Sequence, residues 1–314
     1  MKFEFCTIRT SFFIYIMKVK GYIFGLLSSI SYGLIPLFIL PLKKVGFSMD
    51  TTLFYRFFFS ALLLGSYLVI ARKSLKVEKK HLAIILLLGM CYGISSDALF
   101  KAYDYLSAGI ASTLLFVYPL IVAIIMAVFY KERLTMASIL AIVFTIAGVI
   151  LLSIKNGKFD LNLIGLFIVF ISALGYAIYI VTVNKSSVKT LNGTTLTFYS
   201  FIISAAYYGT KLIIGKGSFA IPSFQTGINI AIFAFVTTVI SSVALVYAIK
   251  YIGSTPTSIL GAFEPVVAVA ISVMMFGEHF SLNLALGVLM IIIGVTLNII
   301  SDAYKNKKLK KAAA

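Results

Sequence analysis

The sequence predicts an all-α polytopic membrane protein with ten transmembrane helices, arranged as two five-helix repeats of inverted topology. Three observations lead to this prediction. Apolar residues make up 61% of the 314 residues and charged residues only 12%, whereas a soluble domain carries roughly a quarter charged residues. The mean hydropathy is +1.06. The chain also contains an internal duplication, and each copy holds five apolar stretches.

The apolar stretches set the number of spans. A bilayer core about 30 Å thick requires about 20 apolar residues in a helix that rises about 1.5 Å per residue. Ten such stretches follow one another with short connections, at 21–42, 52–71, 82–104, 109–130, 135–154, 161–183, 194–214, 228–250, 256–276 and 281–300. They divide the chain into a cytoplasmic N-terminal segment (1–20), a first repeat (21–154), a second repeat (161–300) and a basic cytoplasmic tail (301–314).

Basic residues are distributed unevenly between the two sides of the predicted membrane. Of the 27 Lys and Arg residues, 19 fall in segments on the same side as the termini and two lie within spans. Six lie in or beside the outer segments: Lys43, Lys44, Lys155, Lys158, Lys211 and Lys216. Because excess Lys and Arg mark the cytoplasmic side, we expect a multi-pass protein of the cell (inner) membrane with both termini cytoplasmic. The formal charge of +17 is then a topology signal, compatible with anionic lipid at the tail, and no nucleic-acid partner is expected.

The duplication is clearest where ISSDALFKAYDYL at 94–106 is compared with ISSVALVYAIKYI at 240–252. The match continues without a gap at an offset of 146, and 13 of the 53 positions from 102 to 154 are identical to their counterparts. At an offset of 144, FYRFFFSA at 54–61 matches FYSFIISA at 198–205. Five spans per copy force the second copy to insert upside down, an arrangement that places a substrate site near the midplane between the halves.

In its motifs the chain resembles the drug/metabolite transporter superfamily, specifically the ten-helix members built from two EamA-type domains. The resemblance covers about residues 20–300. It rests on the Arg-bearing second helix FYRFFFSALLL, on the crossings YDYLSAGIASTLLFVYPL and KYIGSTPTSILGAFEPVVA, and on the turns KERL and GEHF. It implies export or exchange of small metabolites, amino acids among them, through a central cavity by alternating access. The first half departs from the pattern in having Tyr118 where Glu often precedes the proline, and in its charged third helix.

Four ionisable residues lie inside predicted spans: Arg56, Asp97, Lys101 and Glu264. Insertion of each costs roughly 2.5–3.5 kcal/mol, so each needs a partner or a functional reason. Asp97 and Lys101 are spaced i and i+4 on one helix face, which Asp104 continues, and Arg56 lies at a similar depth on the antiparallel second helix. We therefore expect an outer cluster of Arg56, Asp97, Lys101 and Asp104, acting either as a structural clamp or as an external gate. Lys101 alone can also extend its amine to the interface.

Glu264 differs because it lies about nine residues into its span, near the midplane, with no base that the sequence places at that depth. Small and polar residues share its helix face, so this face is expected to line a cavity. Pro265 removes the usual helical donor for the Gly261 carbonyl, which is tolerated where the backbone meets protein or water. We expect Glu264 to form the substrate site with three tyrosines of similar depth, although packing and interhelical hydrogen bonding is the alternative role for each: Tyr32, Tyr118 and Tyr176.

Catalytic and cofactor chemistry has little support in the sequence. The two cysteines and two histidines show no metal-ligand spacing, and GKGSF lacks the phosphate-binding pattern, so no metal, other cofactor or enzymatic activity is expected. The expected function is secondary transport of a small metabolite, an amino acid or similar amphipathic solute, by efflux or exchange, in a monomer or homodimer. The alternatives are proton-coupled multidrug efflux and a membrane-embedded enzyme.

Overall fold

The computed structural model describes residues 2–44, 46–131, 136–152, 154–155, 158–159, 162–252, 260–261 and 263–312. Over these ranges the chain is helical apart from turns, loops and one short antiparallel ladder, in which β1 (Ile154–Lys155) pairs with β2 (Lys158–Phe159). A 3₁₀ turn covers Ser187–Thr190 and a π-helix covers Ala234–Ile240. Thirteen α-helices lie in the described ranges: α1 (Lys2–Gly33), α2 (Ile35–Lys44), α3 (Met49–Ile70), α4 (Lys79–Ala102), α5 (Ala108–Leu115), α6 (Tyr118–Tyr130), α7 (Met136–Leu152), α8 (Leu163–Lys185), α9 (Gly193–Ile214), α10 (Phe224–Phe233), α11 (Ser241–Ile252), α12 (Phe263–Phe276) and α13 (Leu282–Ala312).

Six helical segments in the described part of the chain are long and apolar enough to cross a membrane. They are Lys18–Lys44, Met49–Ile70, Lys79–Ala102, Ala108–Tyr130, Leu163–Val183 and Phe224–Leu245. Two further apolar helices are shorter, at Phe263–Phe276 and Leu282–Gly294. The predicted all-helical membrane protein is thereby confirmed. The count of ten spans remains a prediction.

In each half, a helix begins next to a proline within the corresponding apolar stretch. In the first half α5 ends at Leu115 and α6 begins at Tyr118, with Pro119 in its first turn. In the second half α12 begins at Phe263, two residues before Pro265. A proline is tolerated there because the first N–H groups of a helix have no helical acceptor.

The start of α12 corrects the sequence-based interpretation of Glu264. This residue lies in the first turn of a helix, not in the middle of a helix kinked at Pro265. Its backbone amide donates a hydrogen bond to the Gly261 carbonyl, with N and O 2.9 Å apart, so the carbonyl expected to lack its usual donor has another one. The missing N–H of a proline costs least where a helix begins. The predicted ninth span, 256–276, also includes 256–259 and 262, which lie outside the described residues.

Equivalent residues of the two halves make reciprocal contacts. At the offset of 144, Gly65 on α3 corresponds to Gly209 on α9, and Phe54 corresponds to Phe198. A Cβ atom on Gly65 would lie 2.7 Å from Cε2 of Phe198, and one on Gly209 would lie 3.3 Å from Cε2 of Phe54. The two helices therefore pack together through the same residues, as expected for copies related by a twofold rotation.

A second pair of interfaces shows the same reciprocity. Helix α1 packs on α11, and α8 packs on α4 and the turn that follows it. Gly21 meets Tyr251 in the first interface and Gly165 meets Tyr105 in the second, and a Cβ atom on either glycine would lie 2.8 Å from the Cβ of the tyrosine. In the duplication Gly21 corresponds to Gly165 at an offset of 144, and Tyr105 corresponds to Tyr251 at an offset of 146.

The π-helix Ala234–Ile240 marks an insertion of one residue in the second half. Ser204 donates a hydrogen bond to the Gly89 carbonyl (2.8 Å), and the equivalent Ser60 donates to the Ala234 carbonyl (3.3 Å). The two acceptors, Gly89 and Ala234, are therefore equivalent, and they are 145 positions apart. Beyond the π-helix equivalent residues are 146 positions apart, so the second half has one extra residue there. A π-bulge accommodates one extra residue in a helix and is common at functional sites.

The GEHF turn has a structural role. Glu278 accepts a hydrogen bond at Oε1 from the Ala108 amide, with N and O 3.0 Å apart, at the N-terminus of α5. A carboxylate is favoured there because it satisfies a free amide and interacts well with the helix dipole. The corresponding Glu132 of the KERL turn lies outside the described residues.

Gly33→Ala is expected to destabilise the protein by about 1–3 kcal/mol, the usual cost of overpacking. A Cβ atom there would lie 2.8 Å from the Glu264 carbonyl oxygen and 2.7 Å from Cβ of Val267. Rotating a side chain relieves neither contact, so α1 and α12 must separate. Thermal unfolding of the purified protein in detergent measures the loss. Gly227→Ala is the matched control, because its added Cβ would meet nothing closer than 3.7 Å; equal midpoints for the two variants would contradict the close approach.

Candidate functional site

A cavity of about 40 Å³ lies between the two halves. Its walls come from α1, α4, α8, α9, α11 and α12. Three of the four residues predicted for the substrate site, Glu264, Tyr32 and Tyr176, line this cavity together. The complete lining is Ser28, Tyr32, Tyr92, Tyr176, Tyr179, Thr197, Ser241, Ser242, Leu245 and Glu264.

The fourth predicted residue, Tyr118, does not line the cavity. Its ring lies edge-on against Tyr176, with 4.7 Å between centroids, and the residue is 7% exposed. Tyr118 therefore supports a cavity-lining ring from behind. In the duplication Tyr118, the first residue of α6, corresponds to Glu264, the second residue of α12. One helix start thus carries a phenol and the other a carboxyl group, and only the residue with the carboxyl group lines the cavity.

Two tyrosines missed in the sequence analysis complete the aromatic wall. The rings of Tyr92 and Tyr179 are 5.5 Å apart, and those of Tyr176 and Tyr179 are parallel at 6.2 Å. Tyr179 follows Tyr176 by three positions and so shares its helix face; this spacing was the signal that could have identified it. Tyr92 lies on α4 in the segment GMCYGISS, whose small residues gave no such signal.

Glu264 is the one carboxyl group among the lining residues. No Lys, Arg or His forms an ion pair with it in the described part of the chain. Its position in the first turn of α12 favours a negative charge through the helix dipole. Hydroxyl groups surround it, including Ser28 and Ser241, whose Oγ atoms are 3.5 Å apart. Such a carboxyl group can bind an amine when it is charged and can donate a hydrogen bond when it is protonated.

The cavity is too small for a metabolite, so this conformation of the site is closed. A water molecule needs roughly 10–15 Å³ by this measure, so about 40 Å³ holds a few waters and no metabolite. A solute larger than water can reach Glu264 only after the walls separate.

An ionic cluster joins three helices on the predicted outer side. Lys211 on α9 bonds to Asp97 on α4 (Nζ to Oδ1, 2.9 Å) and to Asp50 on α3 (2.5 Å). Asp97 also bonds to Lys101 through its other oxygen at 3.0 Å, the i,i+4 pair expected from the sequence. We call these four residues the Lys211 cluster. Three of them border a depression of about 220 Å³.

Two residues predicted for the outer cluster have other partners. Asp104 borders the same depression as Asp97 and Lys101 but pairs with Lys43 at 2.6 Å. Arg56 makes no ion pair with Asp97 in the described part of the chain; its Nε donates to Oγ1 of Thr238, 2.7 Å away. The sequence indicated how deep Arg56 lies along its helix, but it did not indicate which neighbour the side chain of Arg56 faces. The base that occupies the expected place of Arg56 is Lys211, which the sequence analysis had assigned to the outer edge.

Hydrogen bonds also fix the predicted inner end of α9. The Tyr199 hydroxyl donates to the Leu75 carbonyl at 2.7 Å, and the Thr195 hydroxyl donates to the Ser74 carbonyl at 3.1 Å. Helix α9 is therefore tied to the first half at both of its ends.

Membrane-crossing helices arranged as two similar halves around a small cavity are typical of a membrane transporter. The chain belongs to the EamA-like transporter family, whose model matches residues 19–154 and 163–300. This assignment confirms the resemblance derived from the sequence motifs.

Curated relatives agree with the family. The chain is 27% identical over 312 residues to an uncharacterized transporter of Clostridium kluyveri, covering 94% of this chain and 97% of the relative. It is 24% identical over 267 residues to the uncharacterized transporter YdfC of Bacillus subtilis, covering 83% and 85%. A match to an uncharacterized transporter of Archaeoglobus fulgidus is 29% identical over 132 residues, covering 41% of this chain and 46% of the relative.

A solved crystal structure shares the fold. It superposes with a TM-score of 0.65 at 16% sequence identity, covering 88% of this chain and 95% of the solved chain.

Lys211→Gln is expected to destabilise the protein more than Lys101→Gln. The Lys211 side chain is 28% exposed and bonds to two acids, whereas the Lys101 side chain is 55% exposed and bonds to one. Exposed pairs contribute about 0–1 kcal/mol, but removing the shared base leaves two acids without it. Double-mutant cycles with Asp97→Asn, followed by thermal unfolding, measure both couplings. The coupling of Asp97 to Lys211 should exceed its coupling to Lys101, and strictly additive effects would contradict the cluster.

Proposed function

We propose that the protein moves a small amphipathic metabolite, an amino acid or a similar solute, across the plasma membrane by alternating access. The observation that carries this proposal is the unpaired carboxyl group of Glu264 in a polar cavity between two similar halves. The amine of a substrate supplies the base that Glu264 lacks. The rings of Tyr32 and Tyr176 then enclose its apolar part, which is the mixture of groups expected in a small-molecule site.

The proposed halves, 21–154 and 161–300, are inverted repeats of five helices each. The reciprocal contacts of Gly65 and Gly209, and of Gly21 and Gly165, support a twofold relation between them. With an odd number of helices in each half, the axis of such a relation lies in the membrane plane. Rocking of one half against the other then opens the cavity to each side in turn.

The Lys211 cluster is proposed as the outer gate. It joins α3 and α4 of the first half to α9 of the second, so its bonds must break when the halves separate on that side. A purely structural clamp would stay intact throughout the transport cycle. The partial exposure of Lys211 favours the gate, because water can replace a broken bond at low cost.

The orientation of the chain is proposed from its basic residues, with both termini and the loop 72–81 in the cytoplasm. On a background without Cys6 and Cys91, the variants Lys76→Cys and Lys158→Cys are expected to react with an impermeant maleimide from opposite sides of the membrane. Labelling of intact cells and of inside-out vesicles measures this. Labelling of both positions on intact cells would show that the proposed topology is wrong.

The direction of transport is proposed as efflux or exchange. Proton-coupled multidrug efflux is the second candidate, and the observation that favours it is again Glu264, since a buried carboxyl group can carry a proton through the cycle. The two candidates differ in one property: exchange of a solute for itself needs no pH gradient. Counterflow in proteoliposomes with equal pH on both sides separates them.

Glu264→Gln is expected to reduce counterflow by at least tenfold and to remove its dependence on pH. Glutamine keeps the size and hydrogen bonding of the protonated carboxyl group but cannot bind an amine as a charged partner. Proteoliposomes of equal protein density are tested with a panel of labelled amino acids, amines, organic acids, sugars and nucleosides. Glu78→Gln is the control, because Glu78 precedes α4 at the surface and bonds to Lys80.

The outcomes of that assay are distinct. Unchanged affinity and unchanged pH dependence in Glu264→Gln would make Glu264 a structural residue. Absence of counterflow for every solute of the panel in the wild-type protein would overturn the proposed function itself.

A further inference from the structure

Arg56 is a fully buried base that the proposed transport mechanism has not used. It lies on α3 and is 1% exposed. Its Nε donates to Oγ1 of Thr238 at 2.7 Å, and its Nη2 is buried without a hydrogen-bond partner among the described residues. Its Cζ lies 4.9, 5.5 and 5.7 Å from the ring centroids of Phe233, Phe57 and Phe100.

These contacts leave the guanidinium group undersatisfied. It has five N–H donors in a planar fork, and the described structure gives it one hydroxyl acceptor and three aromatic faces. The acids of the same region, Asp50 and Asp97, bond to Lys211 instead. A charged group inside a membrane is expensive and is typical of substrate and ion pathways.

Arg56 lies close behind the wall of the cavity. Its partner Thr238 is one helical turn from Ser241, which lines the cavity. The ring of Phe57, next to Arg56 in the chain, lies edge-on against the cavity-lining Tyr92 with 5.7 Å between centroids.

The cavity wall connects the two charged groups. Tyr92 lines the cavity together with Glu264, and its ring packs against Phe57, the neighbour of Arg56 in the chain. One phenol therefore lies beside both the cavity of the unpaired acid and the helix turn of the unpaired base. These two charged groups form no ion pair with each other in the described structure.

We propose that the Arg56 guanidinium group binds the carboxylate of the substrate whose amine is held by Glu264. This inference rests on the proposed function and deepens it. Two parallel N–H groups of an arginine match the two oxygens of a carboxylate in distance and direction, which a lysine cannot do. A solute with one amine and one carboxylate then satisfies both unpaired charges of the core at once, and the substrate class is zwitterionic.

The closed conformation explains why Arg56 does not line the cavity. The volume of about 40 Å³ must increase before any metabolite binds. Tyr92 stands next to the helix turn of Arg56, and its movement connects the cavity with the guanidinium group. The π-helix at Thr238 supplies an irregular segment at this place, as π-helices do at many functional sites.

The experiment compares each of the twenty amino acids with its carboxamide in proteoliposome counterflow. The carboxamide keeps the amine and the side chain but has no anionic group. Wild-type protein is expected to exchange at least one amino acid and to prefer it to its carboxamide by tenfold or more. Arg56→Gln is expected to reduce this preference to less than threefold by slowing exchange of the acid while exchange of the amide is retained.

Two variants separate binding from structural support. Thr238→Val removes the Nε acceptor, and Ser60→Ala removes the bond of the next turn to the Ala234 carbonyl, and both keep the guanidinium group. A binding role predicts that both variants retain the preference for the carboxylate. Equal loss of acid and amide exchange in Arg56→Gln and Thr238→Val would overturn the proposal in favour of a structural role. If Arg56→Gln does not fold, Arg56→Lys is tested in its place. A preference for the amino acid over its carboxamide that falls at least threefold in Arg56→Lys supports the proposal. An unchanged preference overturns it.

The test also distinguishes this inference from the proposed function. Counterflow of some metabolite by the wild-type protein, with no amino acid among the exchanged solutes, would overturn the role of Arg56 and leave a transporter. A preference for the carboxylate that survives Arg56→Gln would do the same.

Discussion

The bilayer core offers no water to polar groups, and this constraint governs how the two halves are joined. Hydroxyl groups satisfy it by donating to backbone carbonyls across the interface between α4 and α9. Tyr208 donates to the Gly93 carbonyl and Ser204 to the Gly89 carbonyl, both at 2.8 Å. The carbonyls belong to glycines, which lack a side chain that would hold the helices apart. Small residues and hydroxyl groups thus provide the packing that apolar side chains cannot provide in lipid.

The same constraint shows how the halves have diverged. Ser95 and Ser172 form a closed pair, in which each hydroxyl donates to the carbonyl of the other residue at 2.8 and 2.6 Å. Their counterparts in the duplication, Ser241 and Ser28, are 3.5 Å apart and line the cavity beside Glu264. One interface is therefore closed by two short hydrogen bonds to backbone carbonyls, whereas the equivalent interface has one longer bond between hydroxyl groups that line the cavity with a carboxyl group. The chemistry of the site arises from this asymmetry within a symmetric scaffold.

Composition and duplication were sufficient to predict the helical membrane fold, because apolar length and repeat register can be read from the sequence. Glu264, Tyr32 and Tyr176, which the sequence grouped by their depth, line one cavity, and their role in substrate binding stays a prediction. Depth failed for Arg56, because its helix could present it to Thr238 or to Asp97, and only the packing of the π-helix decides between them. The π-helix adds one residue to the second half relative to the first. This shift becomes visible only when the structure aligns Gly89 with Ala234.

The contacts between the halves differ in how easily they can be exchanged for water. The bonds of Tyr208 and Ser204 are fully buried, so breaking them leaves carbonyls and hydroxyls unsatisfied at a cost of about 1–3 kcal/mol each. The bonds of Lys211 at the outer rim are partly exposed, and water can replace them. A rocking motion changes distances least near its axis and most at the rim. In the proposed alternating access, the buried hydrogen bonds of Ser204 and Tyr208 would serve as the pivot, and the exchangeable ion pairs of Lys211 at the outer rim would serve as the closure.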